Sequence, residues 1–104
     1  MNAKTAIDPL SPVHPGEMLA EEFLKPLGLG AGRAAARMGV PRTRIERLLG
    51  GTTRMTPDTA LRLERLLGMP AEFWLNLQSR HDLLTARATL PASIAAIERM
   101  EAGA

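Results

Sequence analysis

Eight prolines and nine glycines divide this 104-residue chain into short stretches, and within those stretches the apolar residues recur at helical spacing. Pro and Gly are the strongest breakers of regular structure, so their placement between periodic runs sets the element boundaries first. Ala, Leu, Arg and Glu abound while β-branched residues are sparse, which favours helix over strand throughout. A first helix is expected to open at Pro15, with Met18, Leu19, Phe23 and Leu24 as its apolar stripe, and to stop at Pro26 and Gly28. A second runs from Ala31 to Met38 and ends at Gly39; its Gly30-Ala31-Gly32 start offers no capping side chain. A third starts at Pro41, closes at Gly50-Gly51, and turns Ile45, Leu48 and Leu49 inward. The fourth takes Thr56 as N-cap and Pro57 as first residue, buries Ala60, Leu63, Leu66 and Leu67, and ends at Gly68. Pro70 opens a fifth through about Arg87, and Pro91 begins a last segment with Ile94, Ile97 and Met100 as its apolar positions. The fold class expected is all-α, five or six helices around one modest core.

Several function classes are disfavoured at this stage. No stretch approaches the roughly 20 apolar residues that a membrane-spanning helix requires, and Met1 to Val13 holds no apolar run of signal-peptide length. Cysteine is absent, which removes disulfides, thiolate metal sites and cysteine nucleophiles, and suits a reducing cytoplasm. His14 and His81 stand far apart without a ligand pattern, so no metal or cofactor is expected. Ser11, Ser79 and Ser93 lack a nucleophile-elbow context, and catalysis is not expected either.

The net charge of +2 conceals a strong asymmetry. Between Leu27 and Arg54 lie six arginines (Arg33, Arg37, Arg42, Arg44, Arg47 and Arg54) against Glu46 alone, a net of +5, whereas the flanking segments are net acidic. That block coincides with two short helices joined by Gly39-Val40-Pro41, the spacing of a helix-turn-helix, whose second helix enters the DNA major groove. At about 100° per residue, Leu48 and Leu49 fall beside Ile45 on the buried arc, and Thr43 and Arg47 fall opposite. Arg44 and Glu46 flank them, and Arg42 projects from the leading end. Arginine suits bidentate contact with guanine, and Thr52, Thr53 and Arg54 occupy a loop whose hydroxyls, amides and guanidinium suit phosphate.

These features converge on a known pattern. The chain resembles the HigA-type antitoxins of the XRE-like helix-turn-helix repressor family through His14-Pro15-Gly16-Glu17, Leu27-Gly28-Leu29, Gly39-Val40 and Ile45, through Thr56 and Asp58-Thr59-Ala60-Leu61-Arg62-Leu63, and through Pro70 with Glu72-Phe73-Trp74-Leu75-Asn76-Leu77-Gln78. The matches extend over about Val13 to Arg87. The resemblance implies a phage-repressor-like five-helix core, homodimerisation, binding of double-stranded operator DNA upstream of its own operon, and neutralisation of a HigB/RelE-like ribonuclease toxin. Carried over by position, Arg42, Thr43 and Arg47 become base readers, and Arg44 and Thr53 phosphate contacts, with Arg54 completing the DNA-binding set. The sequence departs from the pattern at Gly30 and Ala31, where many relatives have a capping Ser and a phosphate-contacting Gln. It departs again at Ala34, in place of a core Leu, at Pro41 in place of Ser or Thr, and at Gly50 in place of a polar residue.

Residues 1–13 are accordingly expected to be a flexible tail, 14–88 a helix-turn-helix domain with a dimerising fifth helix, and 89–104 a C-terminal helical segment or tail. Phe73, Trp74, Leu75 and Leu77 span more than half of a helix circumference, too wide for one buried face. Phe73, Trp74, Leu77 and Leu84 are therefore expected to form a twofold interface, with Leu83 and the Ile94/Ile97 segment adjoining. Glu17, Glu21 and Glu22 give the first helix an acidic surface suited to a basic toxin. Two other readings remain open: a stand-alone regulator of the XRE type, and a protein-interaction module that no longer binds DNA.

Overall fold

The computed structural model describes residues 13–101, and among these the chain forms six helices and no strand. Helix α1 covers 15–27 in three consecutive stretches: α-helical Pro15–Met18, π-helical Leu19–Leu24 and α-helical Lys25–Leu27. It is followed by α2 (Ala31–Met38), α3 (Arg42–Leu49), α4 (Pro57–Leu67), α5 (Ala71–Ala88) and the single turn α6 (Ala92–Ala95). The expected flexible tail lies, apart from Val13, outside the described residues; Val13 itself packs against the core.

Pro26 does not stop the first helix. It sits inside Lys25–Leu27, and termination falls to Gly28, which takes a left-handed φ of 64° while the Leu29 N–H returns to the Leu24 carbonyl at 2.9 Å. The wide π turn just before the proline accounts for the difference. There the Lys25 N–H reaches back five residues to the Ala20 carbonyl, which shifts the hydrogen-bond ladder where Pro26 has no N–H to contribute.

Local chemistry also explains the start of α1. The His14 Nδ1 accepts the Gly16 N–H at 2.9 Å, so histidine caps the helix. Pro15 is buried at the first position, and Gly16 abuts α3 so closely that a Cβ there would lie 1.7 Å from the Leu48 carbonyl oxygen. The motif His14-Pro15-Gly16 is thus a cap, an entry constraint and a contact point. It sets α1 directly against the C-terminal end of α3.

The core gathers Leu19 and Leu24 from α1, Ala34 and Ala35 from α2, Ile45 and Leu48 from α3, Ala60 and Leu63 from α4, and Trp74 from α5. Trp74 is 0% exposed. Phe23 of α1 and Phe73 flank its ring at centroid distances of 5.1 and 4.9 Å. Trp74 therefore offers no surface to a second copy, which corrects its place in the expected interface. Face-counting on α5 alone could not foresee that Phe23 of α1 meets the tryptophan. Phe73, Leu77 and Leu84 stay half-buried, and Leu83 remains open to solvent. Ile94, Ile97 and Met100 are exposed, so α6 and the residues after it do not extend the core.

Candidate nucleic-acid interface

Helix α3 is oriented by what it buries. Ile45 and Leu48 are 0% and 1% exposed, which turns Thr43 and Arg47 to the opposite, solvent-facing side, as the angular reading of the sequence expected. Pro41 serves as N-cap without a side-chain hydrogen bond, leaving the leading backbone N–H groups of α3 without a side-chain acceptor. Arg42 emerges at this end and its side chain passes across Gly32 of α2, about 3.6 Å from where a Cβ would stand. Gly30, the N-cap of α2, is likewise without a side-chain bond, in keeping with its composition.

The segment after α3 is fixed by the backbone. The Thr52 N–H and hydroxyl both donate to the Arg47 carbonyl, at 2.9 and 3.1 Å, and Gly51 adopts a φ of 74°. Gly50 stays in ordinary right-handed geometry, so its replacement of a polar residue removes a side chain without a conformational reason. The Met55 N–H then donates to Gln78 Oε1 at 2.8 Å, a buried bond that pins the loop to α5. Thr56 caps α4, its hydroxyl accepting the Thr59 N–H.

This folding brings three of the six residues expected to bind DNA into one concavity. Arg44, Thr53 and Arg54 line an open hollow of about 280 Å³, with Thr56, Asp58 and Thr59 at the amino end of α4 completing it. Arg42, Thr43 and Arg47 lie on the adjoining exposed face of α3. Two arginine side chains, threonine hydroxyls and a helix N-terminus together make an environment that favours an oxyanion.

Three of the arginines are held by carboxylates. Arg42 Nε donates to Glu46 at 2.9 Å, Arg44 to Asp58 Oδ2 at 2.5 Å, and Arg54 pairs with Asp82 at 2.8 Å. Arg47 carries no ion pair among the described residues. Asp58 Oδ2 also accepts from Arg62 at 2.9 Å, and these two guanidiniums hold its carboxyl below the usual carboxylate range. Asp82 is likewise lowered, chiefly by Arg54; Gln78 Nε2 donates to it at 3.0 Å. A continuous path thus runs from the Met55 backbone through Gln78 and Asp82 to Arg54. In the sequence Asp58 and Gln78 stand out only as members of the resemblance motifs, and neither Asp82 nor the bonding role of Gln78 is singled out. The signal available was the polar Gln78 one turn after the apolar Trp74, with Asp82 a further turn on.

The two histidines, remote in sequence, meet in space. Their rings stand edge to face with centroids 5.2 Å apart, and His81 Nδ1 lies 3.6 Å from Asp82. Burial, and then the neighbouring His81, lower the His14 pKa from its ordinary value. Among the described residues no group of three or more potential ligands is arranged to hold a metal ion.

The acidic residues of α1 are less uniform than expected. Glu17 and Glu22 are exposed, whereas Glu21 is half-buried and paired with Lys25 one turn on. No helix of the described residues is long and apolar enough to cross a membrane.

No family model matches the chain. Several curated proteins are similar to it, two of them at more than 40% identity. Virulence-associated protein I of Dichelobacter nodosus is 46% identical over 74 residues, 71% of this chain and 68% of that protein. Antitoxin HigA-1 of Vibrio cholerae serotype O1 is 42% identical over 76 residues, 73% of this chain and 71% of that protein. Among solved structures, antitoxin GraA in complex with its operator matches with a TM-score of 0.82 and 37% identity, covering 93% of this chain and 99% of that one.

Proposed function

From the premise that the chain belongs to the HigA-type helix-turn-helix antitoxins, we propose that it binds operator DNA as a homodimer, represses its own operon, and neutralises a HigB/RelE-like ribonuclease toxin. The observation that carries the DNA part is the exposed face of α3 beside the Arg44–Thr53–Arg54 hollow, on a backbone that matches an antitoxin bound to its operator. Arg42, Thr43 and Arg47 read base edges, and Arg44, Thr53 and Arg54 hold phosphates and so fix register. Two copies paired through Phe73, Leu77 and Leu84 would set their α3 helices about 34 Å apart, one turn of duplex. The protein acts in the cytoplasm and by binding, with no catalytic step.

Toxin capture uses a separate surface, for which the exposed Glu17 and Glu22, with Glu21 beside them, supply negative charge toward a basic ribonuclease. The same reading assigns 14–88 to the helix-turn-helix domain with its dimerising fifth helix and 89–104 to a C-terminal helical segment or tail.

A gel shift and footprint on the chain's own promoter, repeated across salt concentrations, tests the DNA reading. A protected palindrome is expected, with affinity falling steeply as salt rises; an unprotected promoter refutes it. Pull-down of the neighbouring gene product, with and without charge reversal at Glu17, Glu21 and Glu22, tests the toxin surface, and unchanged capture removes it.

A further inference from the structure

The arginines assigned to phosphate are occupied by carboxylates in the DNA-free protein. Asp58 lies within the hollow that Arg44, Thr53 and Arg54 line, and its Oδ2 is 2.5 Å from the Arg44 guanidinium. The same oxygen has a second donor behind it, Arg62 Nε at 2.9 Å. Arg62 is itself anchored away from the hollow, donating to the Met38 carbonyl at 2.8 Å. Arg54 repeats the arrangement. Its partner Asp82 keeps a second donor in Gln78 Nε2 at 3.0 Å, and Gln78 is buried and bound to the Met55 backbone.

We propose that Asp58 and Asp82 are built-in anions that DNA phosphates displace, so that these two side chains set the affinity of the interface without touching DNA. Each arginine exchanges one oxyanion for another. Neither aspartate is stranded by the exchange, because Arg62 and Gln78 remain with them. An unpaired guanidinium would attract any polyanion; a guanidinium already holding a carboxylate binds a phosphate with only the difference between the two interactions. Phosphate contacts carry no base information. The aspartates therefore lower affinity for operator and for unrelated duplex by the same factor and leave the ratio between them unchanged. This inference rests on the DNA-binding reading above.

The test compares the wild-type chain with D58N, D82N and R62Q on two duplexes of equal length, its own promoter and a scrambled sequence, at fixed salt. D58N and D82N are each expected to bind both duplexes roughly two- to fivefold tighter, the range that an exposed ion pair supports. R62Q leaves Asp58 to Arg44 alone and is expected to bind both more weakly. Aspartate variants that fold as the wild type does and bind no tighter, or gains confined to the promoter, overturn the exchange. R62Q binding like wild type refutes the sharing of Asp58. A wild-type chain that binds neither duplex refutes instead the DNA-binding reading, so the two failures are told apart.

Discussion

Gly16→Ala should be the most damaging single-methyl addition near the interface, and the reason is geometric. A Cβ at this position would lie 1.7 Å from the Leu48 carbonyl oxygen and 2.6 Å from its carbon. The closest tolerable contact is near 3.0 Å, so α1 and the end of α3 must separate by more than an ångström. The obstacle is main chain, which cannot swing aside as a side chain does. Overpacking of this kind costs about 1–3 kcal/mol and at times more, while alanine in place of glycine in a helix returns at most about 1 kcal/mol. The clash outweighs the propensity, and a net loss of up to about 2 kcal/mol should lower the melting temperature of a domain this size by as much as roughly 8–16 °C. Gly32→Ala is the internal control. Its Cβ would meet only the Arg42 side chain at 3.6 Å, an ordinary contact, so this variant should be neutral or up to about 1 kcal/mol more stable. Thermal melts followed by circular dichroism decide the matter. If Gly16→Ala melts with the wild type, or the two variants behave alike, the close approach of α1 to α3 is not what seats the recognition helix.

Further outcomes follow from the same geometry. Arg47→Ala should relax base preference at one position, a loss of about 1–3 kcal/mol of discrimination; Arg44→Ala should weaken all duplexes alike and flatten the salt dependence. Matching profiles for the two in a competition assay would contradict the division into readers and anchors. The lowered pKa of His14 means that the unfolded chain binds its proton first. The contribution of neutral His14 to stability is therefore complete above a pH of about 6.5 and declines as pH falls through the histidine range. His14→Asn keeps a capping acceptor and should flatten that decline in urea titrations; an unchanged pH profile would assign the sensitivity elsewhere. Leu84→Glu should shift the chain to monomer in sedimentation and abolish binding to a palindrome while sparing the fold, since Leu84 is half-open. A dimer that survives this change excludes Leu84 from the interface.

Boundaries were legible where glycine or proline writes them directly. Gly39 and Gly68 end α2 and α4 with φ of 70° and 86°, and Thr56-Pro57 opens α4 as expected. The path through Pro26 was not, because a π turn answers to where Phe23 and Leu24 must pack and leaves no local signature. The outward side of α3 followed from the apolar positions Ile45, Leu48 and Leu49 and simple angles, although Leu49 is only half-buried. Its electrostatic state did not: whether Arg44 is free depends on Asp58, fourteen residues on, and whether Arg54 is free depends on α5. Trp74 illustrates the same limit in the core, since a tryptophan on a broad apolar arc reads as exposed until Phe23 and Phe73 are placed around it.

The Gln78 amide grips the loop backbone with one atom and Asp82 with the other. The rod proposed to join two copies and the clasp proposed for the duplex are thereby yoked into one rigid lever. Tilting two such rods against each other re-aims both clasps at once, so the spacing of the sequence they can straddle is dictated by the angle at which the copies meet.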